Sequence, residues 1–237
     1  ARHQARACRW LVSTRVPSTS RSAPGEPLGS GTRGHDRVVI GRDRGQGGHR
    51  RAFSGAAMIR AFLGIDLPPA IRGALQVQQF LLPMPRKLDP ESLHLTLVFL
   101  GDCPEPALEA AHEGFETLQA RRFPLSLQGL GLFGKDRPRA AWAGIAPSSA
   151  LMHLQARAET LARRAGCPVE ARKFVPHITL GRFPPPPPPD AMRLERAVAL
   201  GQGFRTDPWE VGELTLWRSH LTGKRPHYQV LARYPLA

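Results

Sequence analysis

The hydrophobic pattern of this 237-residue chain starts abruptly at Met58. Residues 1 to 57 are rich in Arg, Ser, Gly and Pro and hold few large apolar side chains. They show neither the 3.6-residue nor the two-residue period of a packed element, so they have little burial with which to offset the entropy of ordering. A disordered basic segment is expected there. No Met precedes Met58, and the folded protein is expected to start at that residue. The first 57 residues fit an in-frame upstream extension, a basic tail, or an Arg- and Ser-rich transit peptide, since no acidic residue occurs before Glu26.

Charge divides along the same line. The net charge is +14, but residues 1 to 57 hold 11 Arg against Glu26, Asp36 and Asp43, for +8, which leaves +6 on residues 58 to 237. Most of the basic excess therefore lies outside the patterned region, where the remainder is compatible with a phosphate-bearing substrate. No run of apolar residues approaches the roughly 18 needed to span a bilayer, so no membrane partner is expected. Cys8, Cys103 and Cys167 are odd in number and widely spaced, with no metal-holding cluster. This usage suits a reducing, cytoplasmic compartment, with Cys103 and Cys167 as packing or turn residues.

From Met58 onward, short apolar runs alternate with helical spacing. Strands are predicted over 59–66, 93–100, 125–132, 140–145, 174–183, 210–221 and 228–236. A helix is predicted after Pro68-Pro69 with Ile71, Leu75, Gln78 and Leu82 on one face. Others are predicted over 104–119, from Ser148 or Ser149 to Arg164, and over 190–200. Six prolines, Pro184 to Pro189, form a stiff extended spacer. The fold class is α+β: two similar lobes, each an antiparallel sheet with flanking helices, around a central cleft, within a single domain over 58–237.

Chemistry concentrates in two tetrapeptides, His94-Leu-Thr96-Leu and His177-Ile-Thr179-Leu, which lie 83 residues apart. Successive strand side chains point to opposite faces, so each His and Thr share one face while the aliphatic residues take the other. One His-x-Thr alone is a weak signal. A third, His220-Leu-Thr222, runs into Gly223 and reads as a hairpin end. The recurrence of the first two, with the same apolar fourth position, carries the inference. Two imidazoles in opposite protonation states with two hydroxyls suit in-line phosphoester cleavage: one His takes a proton from water, the other gives one to the leaving oxygen, and Thr96 and Thr179 bind the phosphoryl oxygens. This arrangement calls for no metal and no cofactor. Gly129-x-Gly131-x-x-Gly134 matches a dinucleotide fingerprint, but no helix follows it, and Lys224 lacks a phosphate-loop frame.

The two tetrapeptides resemble the paired H-x-T-x motifs of the 2H phosphoesterase superfamily. The chain is more closely similar to the bacterial RNA 2′,3′-cyclic phosphodiesterases, also called the 2′-5′ RNA ligase family. Similarity extends through Arg60-Ala-Phe-Leu-Gly-Ile-Asp66, Gly129-Leu-Gly-Leu-Phe133, Trp142, Tyr228 and the Tyr234-Pro-Leu ending. The resemblance implies hydrolysis of RNA 2′,3′-cyclic phosphate ends, tRNA fragments among them, to 2′-phosphates by a monomer, with His94 as proton donor and His177 as proton acceptor. Arg182, five residues after His177, is expected by the same resemblance to meet phosphate or RNA, although an odd offset in a regular strand puts it on the opposite face. ATP-independent 2′-5′ ligation and non-catalytic binding of RNA ends are the alternatives.

Overall fold

The computed structural model describes residues 57–134, 136–221 and 226–237. The basic segment, Cys8, and the turn at Gly223 with Thr222 lie outside the described residues. The elements run β1 (Met58–Ile65), α1 (Pro69–Leu81), β2 (Leu95–Pro104), α2 (Glu105–Glu116), β3 (Phe123–Leu125), β4 (Leu127–Phe133) and β5 (Ala140–Ile145). They continue with α3 (Ser149–Arg164), β6 (His177–Arg182), α4 (Pro188–Leu200), β7 (Trp209–Val211), β8 (Glu213–His220) and β9 (His227–Pro235). The predicted strand over 125–132 is thus two strands, β3 and β4, and 210–221 likewise divides into β7 and β8. Residues 174–176 precede β6 instead of belonging to it.

Local rules account for the helix starts. Ser148 caps α3 by accepting a hydrogen bond from the Leu151 amide, and prolines open α1, α2 and α4 where no backbone donor is needed. The last two residues of the proline run therefore fit inside the first turn of α4, two residues ahead of the predicted start.

Seven strands form one antiparallel sheet in the order β4-β5-β6-β2-β1-β8-β9, and β3 pairs with β7 in a small second sheet. The predicted lobes are the two parts of the large sheet, β2-β1-β8-β9 and β4-β5-β6. They meet through one ladder step, Leu95 with Ile178. Chain order and lobe do not coincide, because β8 and β9 return to the first lobe. Leu95, Leu97, Leu100, Ile178 and Leu180 are buried in a core that also takes in Phe115, Leu151 and Ala158 from α2 and α3. One side of the central strands is therefore floor, and the other is left for the site.

Candidate active site

The seam between the lobes brings the two motifs together. In an antiparallel pair the register set by Leu95 and Ile178 places His94 opposite Thr179 and Thr96 opposite His177. The four polar side chains thus occupy one face, each imidazole beside the other motif's hydroxyl. His94 sits just before β2 and His177 is the first residue of β6, so both project from strand starts and not from mid-strand as the pattern suggested. They line one cavity of about 240 Å³ together with Thr96, Thr179, Arg182 and Tyr228.

The rings are anchored alike. His94 Nδ1 donates to the Ser92 carbonyl at 2.7 Å and His177 Nδ1 donates to the Val175 carbonyl at 2.7 Å. A carbonyl can only accept, so Nδ1 keeps its proton and Nε2 is the nitrogen that titrates on each ring. His94 is stacked on Phe62 at 4.5 Å, with Tyr228 edge-on at 5.1 Å and Trp217 beyond. Phe133 meets His177 edge-on at 4.8 Å. Burial among these rings disfavours the charged form of His94 and lowers its pKa to about 4; the nearby Arg182 and Arg72 lower it as well, against the raising effect of the Ser92 carbonyl and Asp66. Burial lowers His177 too, assisted by Arg182 and Arg172.

Arg182 reaches the cavity despite its odd offset from His177. The pairing of β5 with β6 steps from Ala141–Gly181 to Trp142–Thr179, leaving Leu180 as an extra residue in β6. This bulge reverses the alternation after Thr179 and turns Arg182 to the site. A bulge leaves a carbonyl without its ladder partner, and Leu180 O instead accepts from the Leu88 amide at 2.9 Å and Gln79 Nε2 at 2.8 Å. Gly181 is required beside it, because a Cβ there would lie 2.4 Å from the Arg86 carbonyl oxygen. β2 carries a matching bulge at Leu97, between Thr96 and Val98. The apolar fourth residue of each motif is thus the bulge itself.

A family model described as the 2′-5′ RNA ligase superfamily matches residues 67–223. The chain belongs to that superfamily. A relative from Escherichia coli named RNA 2′,3′-cyclic phosphodiesterase is 32% identical over 181 residues, covering 75% of this chain and 96% of that protein. A relative of the same name from Geobacillus stearothermophilus is 32% identical over 161 residues, covering 65% of this chain. The chain spans only 49% of that longer protein. The structure of E. coli LigT complexed with 3′-AMP superposes with a TM-score of 0.61 and 28% identity, over 76% of this chain and 99% of the other. The seven-stranded sheet with flanking helices is the fold of these 2H phosphoesterases.

Several further groups in this superfamily member's site were given no role by the sequence pattern. Arg172 lines the cavity from the loop ahead of β6, and Arg60 and Phe62 line it from β1. Arg72, on α1, donates to the carbonyls of Pro90 at 2.7 Å, Leu93 at 3.1 Å and Leu67 at 3.1 Å and pairs with Asp66. It thereby ties down the turn that delivers His94. His220, of the third His-x-Thr, ends β8 and meets Gln229 Oε1 at 3.0 Å. The Gly-x-Gly-x-x-Gly run also has a sheet explanation: Gly131 faces Trp142 across the ladder, and a Cβ would lie 2.2 Å from the indole. Among the described residues no group of three or more His, Cys, Asp or Glu is placed to hold a metal ion, and no helix is long and apolar enough to cross a membrane.

Proposed function

We propose that this enzyme opens the 2′,3′-cyclic phosphate at an RNA end to a 2′-phosphate without a metal. The observation that carries the reading is the quartet at the seam, in which two equally anchored imidazoles alternate with two threonine hydroxyls on one face. His177 Nε2 takes a proton from water as its oxygen bonds to phosphorus. The phosphorus–O3′ bond breaks, and His94 Nε2 protonates the departing oxygen, in the roles the family resemblance assigns. Thr96, Thr179 and Arg182 hold the non-bridging oxygens as charge grows on them. Burial holds both imidazoles below the ordinary histidine value, His94 strongly. An anionic phosphate between the rings favours the charged form of the donor, which links the proton to substrate binding.

The remaining groups fit an RNA strand. A groove of about 570 Å³ continues from the cavity past Thr96 and His177 and is lined by Arg139, Lys173 and Phe174 among others. A cationic groove with aromatic side chains suits the nucleotides leading to the cyclic end, tRNA fragments included. With an RNA 5′-hydroxyl in place of water, the same groups would join the cyclic end through a 2′-5′ bond, the phosphorus–O3′ bond breaking as before. We take the enzyme to act as a cytoplasmic monomer.

End-group analysis of an oligoribonucleotide bearing a 2′,3′-cyclic phosphate tests the reading. A 2′-phosphate product formed in the presence of a chelator is expected, with turnover reduced roughly 10²- to 10⁴-fold in His94→Ala and in His177→Ala. Full activity in either variant, or loss of turnover on chelation, refutes it, and a joined strand as the main product favours ligation.

A further inference from the structure

Cys103 and Cys167 line neither the cavity nor the groove, yet their sulfurs meet. Cys103 lies on β2 and is fully buried, Cys167 follows the end of α3 with 6% exposure, and their Sγ atoms are 2.9 Å apart. That is well inside a non-bonded sulfur contact and roughly 1 Å from a disulfide bond length. The hydrogen bond within the pair lowers the Cys103 pKa and raises that of Cys167, so Cys103 is the sulfur that ionises first.

We propose that Cys103 and Cys167 form an oxidisable dithiol that closes to an intrachain disulfide under peroxide. The thiolate of Cys103 attacks hydrogen peroxide. A sulfur–oxygen bond forms, the oxygen–oxygen bond breaks, and hydroxide leaves to become water by taking a proton. The Cys167 sulfur then attacks the sulfenic sulfur. A sulfur–sulfur bond forms, the sulfur–oxygen bond breaks, and the departing hydroxide takes the Cys167 proton as a second water. Two thiols lose two electrons and one peroxide gains them. Peroxide is uncharged and little larger than water, so local opening at the Cys167 turn admits it.

The bond would join residues 64 apart in sequence. It would staple the strand that follows Thr96 to the loop that carries Arg172 and leads into His177, closing a loop over α2, β3, β4, β5 and α3. A constraint on a loop of that length acts chiefly on the unfolded chain, so its mark is thermal. Neither sulfur lines the cavity or the groove, so the dithiol is separate from the phosphodiester chemistry.

The test uses the full chain with Cys8→Ser, so that two thiols remain. After hydrogen peroxide, quenching and unfolding, the protein is alkylated with N-ethylmaleimide and weighed intact. The expected result is loss of two hydrogens with no adduct, reversal by dithiothreitol, and a rise of roughly 5–10 °C in the melting temperature of the oxidised form. Cys103→Ser and Cys167→Ser should show neither the mass change nor the thermal shift. Two remaining adducts, oxygen atoms added at either sulfur without a cross-link, or the same thermal shift in Cys103→Ser would overturn the proposal.

Discussion

At the scale of single residues, the cavity is shaped by the cost of placing a charge in it. The unfolded chain protonates His94 near the ordinary histidine value of 6.5, but the folded chain does so only near 4. The stabilising preference for neutral His94 is thus complete above pH 6.5 and is lost as pH falls to 4, with a magnitude of about 3 kcal/mol. Denaturant unfolding followed across that interval is expected to show the decline, and His94→Asn, which has no proton to gain, is expected to reduce it. A decline of the same size in His94→Asn would place the titrating group elsewhere. Arg182 disfavours protonation of both imidazoles, so Arg182→Ala should move the acid limb of kcat/KM to higher pH while also raising KM. An unmoved limb would mean that the guanidinium acts on phosphate alone. The quartet itself was legible in the sequence, because His-x-Thr on a strand needs only a period of two to share a face. The direction of Arg182 was not: a period-two reading points it away, and the extra residue at Leu180 that corrects this leaves no trace beyond Gly181.

At the scale of elements, the bulge in β6 depends on a residue from α1. Gln79 is 96% buried, and its amide bridges the Leu88 and Leu180 carbonyls. Helical spacing suggested Gln78 for the inner face, but Gln78 is half-exposed and its neighbour does the work. Replacing Gln79 by Leu removes its donor from the Leu88 carbonyl and leaves the Leu180 carbonyl with the Leu88 amide alone, for an expected loss of about 1–3 kcal/mol in folding stability. If the bulge is also what aims Arg182, Gln79→Leu should lower kcat/KM in the native background but add little in Arg182→Ala, and a double-mutant cycle measures that coupling. Fully additive effects would reduce Gln79 to a fold-stabilising residue. Most strands and helices could be read from hydrophobic period and proline placement, but the breaks that part β3 from β4 and β7 from β8 could not. Buried hydrogen-bond partners such as Gln79 and Arg72 could not, since nothing in a helix's own pattern announces a carbonyl waiting on a distant strand.

At the scale of the whole molecule, recognition of the strand falls in the proposed function to the groove beyond the seam, and chemistry to the cavity at its end. Lys173→Ala and Phe174→Ala are expected to reduce kcat/KM by about tenfold on an oligoribonucleotide with a 2′,3′-cyclic end and to leave a mononucleoside 2′,3′-cyclic phosphate little affected. Equal losses on both would place these side chains at the phosphate. The repeat of the two tetrapeptides could be seen to put one motif in each lobe, whereas the return of β8 and β9 to the first lobe is a long-range pairing with no local signature. The two lobes share a single rung, Leu95 with Ile178. The distance between the two imidazoles is therefore not locked by a ladder and is set from beneath, by α2 against α3 and α1 against β6. A joint of this kind fails before its parts do: warming that loosens the floor can part the imidazoles while every half-sheet keeps its own bonds, and the enzyme falls silent with its circular dichroism still intact.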